Sequence, residues 1–320
     1  MNGRSILALL CVLAVPPHAA AETYPARTVR IVVPYAAGGG VDIVTRSVGQ
    51  KLADYLGQSV LTENRPGGNA NIASEYVAKA PADGYVLLMA SPANATNASL
   101  FSRLPYDLLR DFAPVIQVGY APLVLAVHPS VPATSVRELL ALARRQPGQL
   151  SYASGGTGTS QHLAGEMFKL QGGVSVLHVP YKGAAPALVD IVGGQVAFMF
   201  NNTLEIAPYA QAGRVRVLAV ASAHRTPGLP AVPTFAESGM PDFEASVWWG
   251  IIAPAGTPRN IVNRLNGDAN KALQAREVRE RLTGLGAEIV GGTPEQFGTF
   301  LRGEVTKWAN VIKKAGIKAD

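Results

Sequence analysis

Residues 29–55 read VRIVVPYAAGGGVDIVTRSVGQKLADY, and residues 150–170 read LSYASGGTGTSQHLAGEMFKL. Each passes from a short apolar run through a glycine-rich turn into a helical pattern. In the first, residues 29–34 are the β-branched run of a buried strand. Val41, Val44, Val48, Leu52 and Tyr55 then recur at three- and four-residue spacing, the period of a helix buried on one side. In the second, residues 150–154 predict a strand, 155–160 a glycine-rich loop and 161–170 a helix. A looser third copy runs from Leu177 to Val192 with Tyr181, Lys182 and Gly183 as its turn. Strand–loop–helix units predict an α/β fold with a mostly parallel sheet flanked by helices. Their occurrence in both halves predicts two lobes of similar architecture.

Further elements fill the space between. Strands are expected over 59–62, 85–90, 174–180, 196–200 and 215–221, and helices over 72–80 and 136–145. Residues 113–127 form a long extended stretch interrupted at Gly119 and Pro122. Its residues 115–127 and residues 243–254 are two candidate crossings between lobes, so that lobe one holds both ends of the chain. A closing helix with Phe297, Phe300, Leu301, Val305, Trp308 and Ile312 on one face is expected to pack on lobe one. Of Trp248 and Trp249, at the second crossing, one is expected in the core and the other facing the cleft.

The 320 residues are 48% hydrophobic and 16% charged, which excludes a disordered chain. The net charge is +6, but no run of basic residues appears, so nucleic acid is not an expected partner. Arg4, the apolar stretch from Ile6 to Val15, and the His18-Ala19-Ala20-Ala21 site predict an export signal cleaved after Ala21. The apolar stretch is about half the ~20 residues that span a bilayer. The one cysteine, Cys11, falls inside that signal. The exported chain is therefore stabilised without disulfides.

In an open parallel sheet, ligands sit beyond the carboxyl ends of the strands. Both glycine loops lie there, each opening a helix. First-turn N–H groups have no intrahelical partner, and that end of the helix carries the positive pole, so it receives carboxylates and phosphates. Thr157, Thr159 and Ser160 add hydroxyls. One such loop alone is better read as a plain tight turn opening a helix; two in matching places favour a site. Enzyme signatures are missing: there is no G-x-G-x-x-G, no G-K-[ST], no G-x-S-x-G and no H-E-x-x-H. Neither metal nor cofactor is expected. His162 fits a loop-bonded helix-start histidine and a ligand contact equally well. Asp42 fits a first-turn acid better than a catalytic base, and Lys182 a solvated turn lysine better than an anion contact.

Taken in order, the stretches IVVPYAAGGGVDIVTR, GQSVLTENRPGGNANIA, APADGYVLLMA, LPYDLLRDFAPV, LSYASGGTGTSQHLAGEMF, HVPYKGAAPALVDIVGGQV, RVLAVASAHRTPGLPAVPTFAESG and WWGIIAPAGTP resemble the solute-binding proteins of tripartite tricarboxylate transporters, the Bug (TctC-like) family. The resemblance covers nearly the whole exported chain. It implies a two-lobed periplasmic binding protein of type II-like architecture, joined by two crossing strands, that closes on a small carboxylate without catalysis. On that reading residues 1–21 are the signal, 22–121 and 248–320 form lobe one, and 122–247 form lobe two. The ligand residues it implies are Tyr35, Ala36, Ala37, Gly38, Gly39, Asp42, Asn71, Ser91 and Asn94 from lobe one. From lobe two come Ser154, Thr157, Gly158, Thr159, His162, Tyr181 and Asn201. Asn201 stands where the family commonly has Asp, and Val41 where a hydroxyl residue is frequent. The partners implied are the carboxylate and membrane transporter subunits, with a monomeric receptor in the periplasm. Two alternatives stand beside it: a secreted hydrolase or transferase using the loops as an oxyanion site, and a ligand sensor uncoupled from transport.

Overall fold

The computed structural model describes residues 24–318 apart from Lys182 and Leu285. The expected signal, its cleavage point and Lys182 lie outside the described residues. In chain order the elements are β1 (Val29–Val33), α1 (Gly40–Leu56), β2 (Val60–Asn64), α2 (Asn71–Ala78), β3 (Val86–Ala90), α3 (Pro92–Leu100) and β4 (Phe112–Val127). There follow α4 (Val136–Arg145), β5 (Ser151–Ser154), α5 (Ser160–Gly172), β6 (Leu177–Pro180), α6 (Ala184–Val192), β7 (Phe198–Asn202), α7 (Thr203–Gln211) and β8 (Arg216–Val220). The chain ends with β9 (Ser246–Pro254), α8 (Arg259–Gln274), α9 (Arg276–Gly284), β10 (Glu288–Gly291) and α10 (Pro294–Ala315).

The strands lie in the order β2-β1-β3-β9-β4-β7-β5-β6, with β8 and β10 also on β4. The two wings are parallel, as strand–helix alternation requires: β1 with β2 and β3, β5 with β6 and β7. The centre is antiparallel, with β9 on β3 and β4, and β4 on β7 and β8. The parallel wings agree with the expected fold, and the antiparallel centre has a topological reason. β4 carries the chain out of the first wing and β9 brings it back, so the two run in opposite senses. Along β4 the partner changes. Phe112 to Pro122 pair with β9, and Leu123 to Val127 pair with β7 and β8.

Apolar clusters cover both faces of each wing. One holds Ile31, Val44, Leu52, Met89, Ile251 and Leu265, and its opposite holds Val32, Leu88, Trp248, Ile252 and Phe297. In the second wing, Tyr152, Leu163, Phe168, Phe198 and Phe200 form one cluster, and Ala153, Leu188, Ile191 and Met199 the other. α10 is divided between lobes, against the expectation that it packs on lobe one. Phe297 and Leu301 enter the first-wing cluster, whereas Trp308 and Ile312 enter that of the second. A helix of 22 residues is about 33 Å long at 1.5 Å per residue, enough to reach both cores.

α3 has no counterpart in the sequence reading. Its sequence PANATNASL mixes three alanines with Asn, Thr and Ser, which favour caps and turns, and has no apolar stripe. It is held instead by a capping box between Ser91 and Asn94 and by burial of nearly every residue. Both tryptophans of the second crossing are buried, Trp248 at 0% and Trp249 at 1% exposure, so neither presents its ring to solvent.

Candidate functional site

The first glycine loop joins β1 to α1. Gly38 takes φ +84°, a left-handed conformation that suits glycine. Its N–H donates to Asp42 Oδ2 at 2.9 Å. Asp42 is buried and receives two more side chains, Arg46 Nε at 3.0 Å and Asn64 Nδ2 at 2.9 Å, while the same Asn64 amide donates to the Tyr35 carbonyl at 3.0 Å. Burial opposes the charge on Asp42, but the bonds from Arg46, Gly38 and Asn64 outweigh it and hold the carboxyl below the usual carboxylate range. Asp42 is thus the brace of the loop. Gly39, the N-cap, offers no side chain, and no side chain accepts from the N–H groups of Gly40 or Val41 among the described residues. Ala36, Ala37, Gly38 and Gly39 are exposed.

The second loop is tied down from behind in the same way. Gly155 N–H donates to Gln161 Oε1 at 2.8 Å, Gly156 N–H to Ser154 Oγ at 3.1 Å, and Gly158 N–H to His162 Nδ1 at 3.0 Å. Thr159 is the N-cap of α5: its hydroxyl accepts from His162 N–H at 3.4 Å and donates to the Gly156 carbonyl at 2.7 Å. Thr157 is exposed and Ser160 is mostly buried; neither hydroxyl has a partner among the described residues. Gly38, Gly155, Gly156 and Gly158 thus have their N–H groups bonded to side chains, and no side chain accepts from the N–H of Gly39 or Thr157 among the described residues.

Behind this loop the His162 and His178 rings stack at 3.9 Å, 12° apart, and Tyr152 stacks on His178. Burial, then the neighbouring positive charges, pushes His162 down to about 3. Burial, only partly offset by Glu166, pushes His178 down to about 4. Both imidazoles are therefore neutral near pH 7, as the Nδ1 acceptor role of His162 requires. His178 Nε2 and Ser154 Oγ are 2.6 Å apart. This is a serine–histidine pair, but Ser154 is fully buried and also bonded to Gly156, so it braces the loop and presents no nucleophile.

The other expected ligand residues divide between lining and support. Tyr35 OH and Ser91 Oγ are 2.9 Å apart, Ser91 N–H donates to Asn94 Oδ1 at 2.9 Å, and Asn94 Nδ2 donates to Ser74 Oγ at 2.8 Å. Asn71 Oδ1 accepts from Asn97 and from Tyr106. Tyr181 OH bonds Asp190, and its phenol is pushed up to about 12, by burial first and by that carboxylate second. Asn201 is fully buried, and its amide is spent on Gln161, Asn202 N–H and Glu205. The sequence reading missed Gln161, His178 and Asn64. Their roles come from partners at distant positions, which no local pattern marks. The lobes meet at the second loop: Thr96 Oγ1 of α3 lies 3.3 Å from the Gly158 carbonyl, and a Cβ on Gly158 would come within 2.3 Å of Leu100 Cδ1.

Two α/β wings joined by crossing strands, each with a glycine-opened helix at the carboxyl edge of its sheet, have the architecture of a two-lobed solute-binding protein. The chain belongs to the tripartite tricarboxylate transporter family receptors, whose model it matches over residues 44–317. It is 39% identical to Protein BugT of Bordetella pertussis over 300 residues, covering 93% of this chain and 92% of that one. Rpa4515 of R. palustris, solved with adipate, superposes with a TM-score of 0.86 at 39% identity, covering 92% of this chain and 99% of that one. MatC of Rhodopseudomonas palustris, solved with bound malate, superposes with a TM-score of 0.82 at 32% identity, covering 90% of this chain and all of that one. The chain is a binding receptor and not an enzyme. Among the described residues no helix is long and apolar enough to cross a membrane, and no group of acidic, histidine or cysteine side chains is arranged to hold a metal.

Proposed function

We propose that this receptor captures a small dicarboxylate between its lobes and delivers it to the membrane subunits of a tripartite transporter. The observation that carries the reading is the pair of glycine loops whose inner N–H groups are held by Asp42, Gln161, Ser154 and His162. Their remaining donors are pre-oriented outward, which suits a carboxylate bound through neutral groups and water. Direct contacts are assigned to Tyr35, Ala36, Ala37, Gly39, Thr157 and Ser160. Gly38, Asp42, Asn71, Ser91, Asn94, Ser154, Gly158, Thr159, His162, Tyr181 and Asn201 support them. Adipate and malate in the two relatives favour the dicarboxylate class here. The change of partners along β4 at Pro122 and Leu123 supports lobe boundaries at 121/122 and 247/248. The run of small residues Ala19, Ala20 and Ala21 supports export and cleavage after Ala21, with a monomer working in the periplasm. A thermal-shift screen of mono-, di- and tricarboxylates tests the reading. A cognate acid at one hundred times its Kd stabilises by about 2.7 kcal/mol, and no shift from any carboxylate on ligand-free protein would refute it.

A further inference from the structure

Among the described residues one fully buried side-chain polar atom has no hydrogen-bond partner, Nε1 of Trp249. The other two indoles are satisfied: Trp248 and Trp308 each donate to Glu304 Oε2 at 2.9 Å. An indole N–H is a donor only, and leaving it buried and unmade costs free energy. In a native structure such a group calls for an explanation, and a partner that comes and goes is one.

Its place in the fold says which partner. Trp249 pairs across β4 with Gly119, one residue before Gly250, which pairs with Ala90 at the end of β3. Because β9 runs antiparallel to β3, Trp249 stands level with Ser91, beyond the carboxyl end of β3. It belongs to the apolar cluster that Tyr35, Val41 and Val44 also join, the residues leading into and out of the first glycine loop. Trp249 is therefore at the same edge of the sheet as that loop and Ser91, on the face that Tyr35 and Val41 also cover.

We propose that the Trp249 indole N–H is a further ligand-binding donor, meeting water in the free receptor and an oxygen of the carboxylate, directly or through that water, in the loaded one. The proposal rests on the carboxylate reading above and adds a side chain with no charge to a site built mainly from backbone.

The three tryptophans give three indole N–H resonances, assignable by single Trp→Phe variants. In ligand-free protein the Trp249 N–H is expected to exchange with solvent at least about tenfold faster than the two bonded to Glu304. Equal or slower exchange would overturn the proposal, whatever the ligand. Trp249→Phe keeps the apolar ring and removes the donor. Titration with adipate and malate should show the Trp249 resonance shifting in wild type, and Trp249→Phe weakening the acid that binds by about tenfold, or ~1.4 kcal/mol. The melting temperature of the free variant should be unchanged or higher, since no protein bond is lost. Wild-type affinity in Trp249→Phe would overturn the proposal. Failure of every carboxylate to bind wild type would instead refute the receptor reading, with the exchange comparison still deciding whether the indole opens to the cleft.

Discussion

Stability should fall as the medium is acidified from pH 7.5 to pH 5, because of the stacked pair His162 and His178. The two rings are pushed from 6.5 to about 3 and about 4 in the folded chain. In the unfolded chain each titrates near the ordinary value, about 6.5. Between that value and the folded one, the unfolded state binds a proton that the folded state refuses. Stability is then lost with falling pH at about 1.4 kcal/mol per unit for each ring. At pH 5 the loss relative to pH 7.5 is about 2 kcal/mol for His162 and less for His178, which is partly exposed and screened by solvent, so about 2–4 kcal/mol for the pair against the ~5–15 kcal/mol that holds a typical domain. The comparison is urea unfolding at the two pH values for wild type and for His162→Asn/His178→Phe. Asn keeps an acceptor in reach of Gly158 N–H, and Phe keeps a ring in the stack. Other titrating groups are common to both proteins and cancel. Wild type should lose about 2–4 kcal/mol more than the double variant across that interval. Equal losses would show that these rings are not held neutral, and would undo the account of how the second loop is braced.

Three substitutions separate contact from support. Gly39→Val should abolish detectable carboxylate binding with a normal melt, because Gly39 has an ordinary φ of −78° and an added Cβ would meet nothing nearer than 3.8 Å; calorimetric titration checks it, and wild-type affinity would place the site elsewhere. Thr159→Val removes the α5 N-cap and should lower unfolding stability by about 0.5–2 kcal/mol, measured by denaturant titration, with any loss of affinity secondary to it; a stability equal to wild type would deny the cap. Gly158→Ala faces both φ +81° and Leu100 Cδ1 at 2.3 Å, so it should weaken binding by hindering approach of the lobes, and adding Leu100→Ala should restore part of the affinity. No recovery in that double variant would mean that this contact does not govern closure.

Much of this molecule is written locally. The β-branched run at residues 29–33, the apolar spacing from Val41 to Leu52 and the glycines between them suffice for strand, turn and helix, and the same holds for residues 151–170. Where local preference is weak the sequence was silent. α3 carries Asn, Thr and Ser in a helix held by burial, and the antiparallel centre of the sheet depends on the path of β4 and β9 rather than on their composition.

The sequence by itself determined the strand–loop–helix units and the two glycine loops, which depend on residue type and spacing within a short stretch, and the family, which depends on the order of such stretches along the chain. Only the tertiary structure decided what the polar side chains of those loops do. Asp42, Thr159, His162 and Asn201, expected among the ligand residues, make bonds in three dimensions that hold the loops. The partners that occupy them include Asn64, 22 residues from Asp42, and Gln161, 40 residues from Asn201. A hydrogen bond needs its atoms within about 3 Å, and that proximity is created by packing two lobes, α3 and a shared closing helix, which no local pattern encodes.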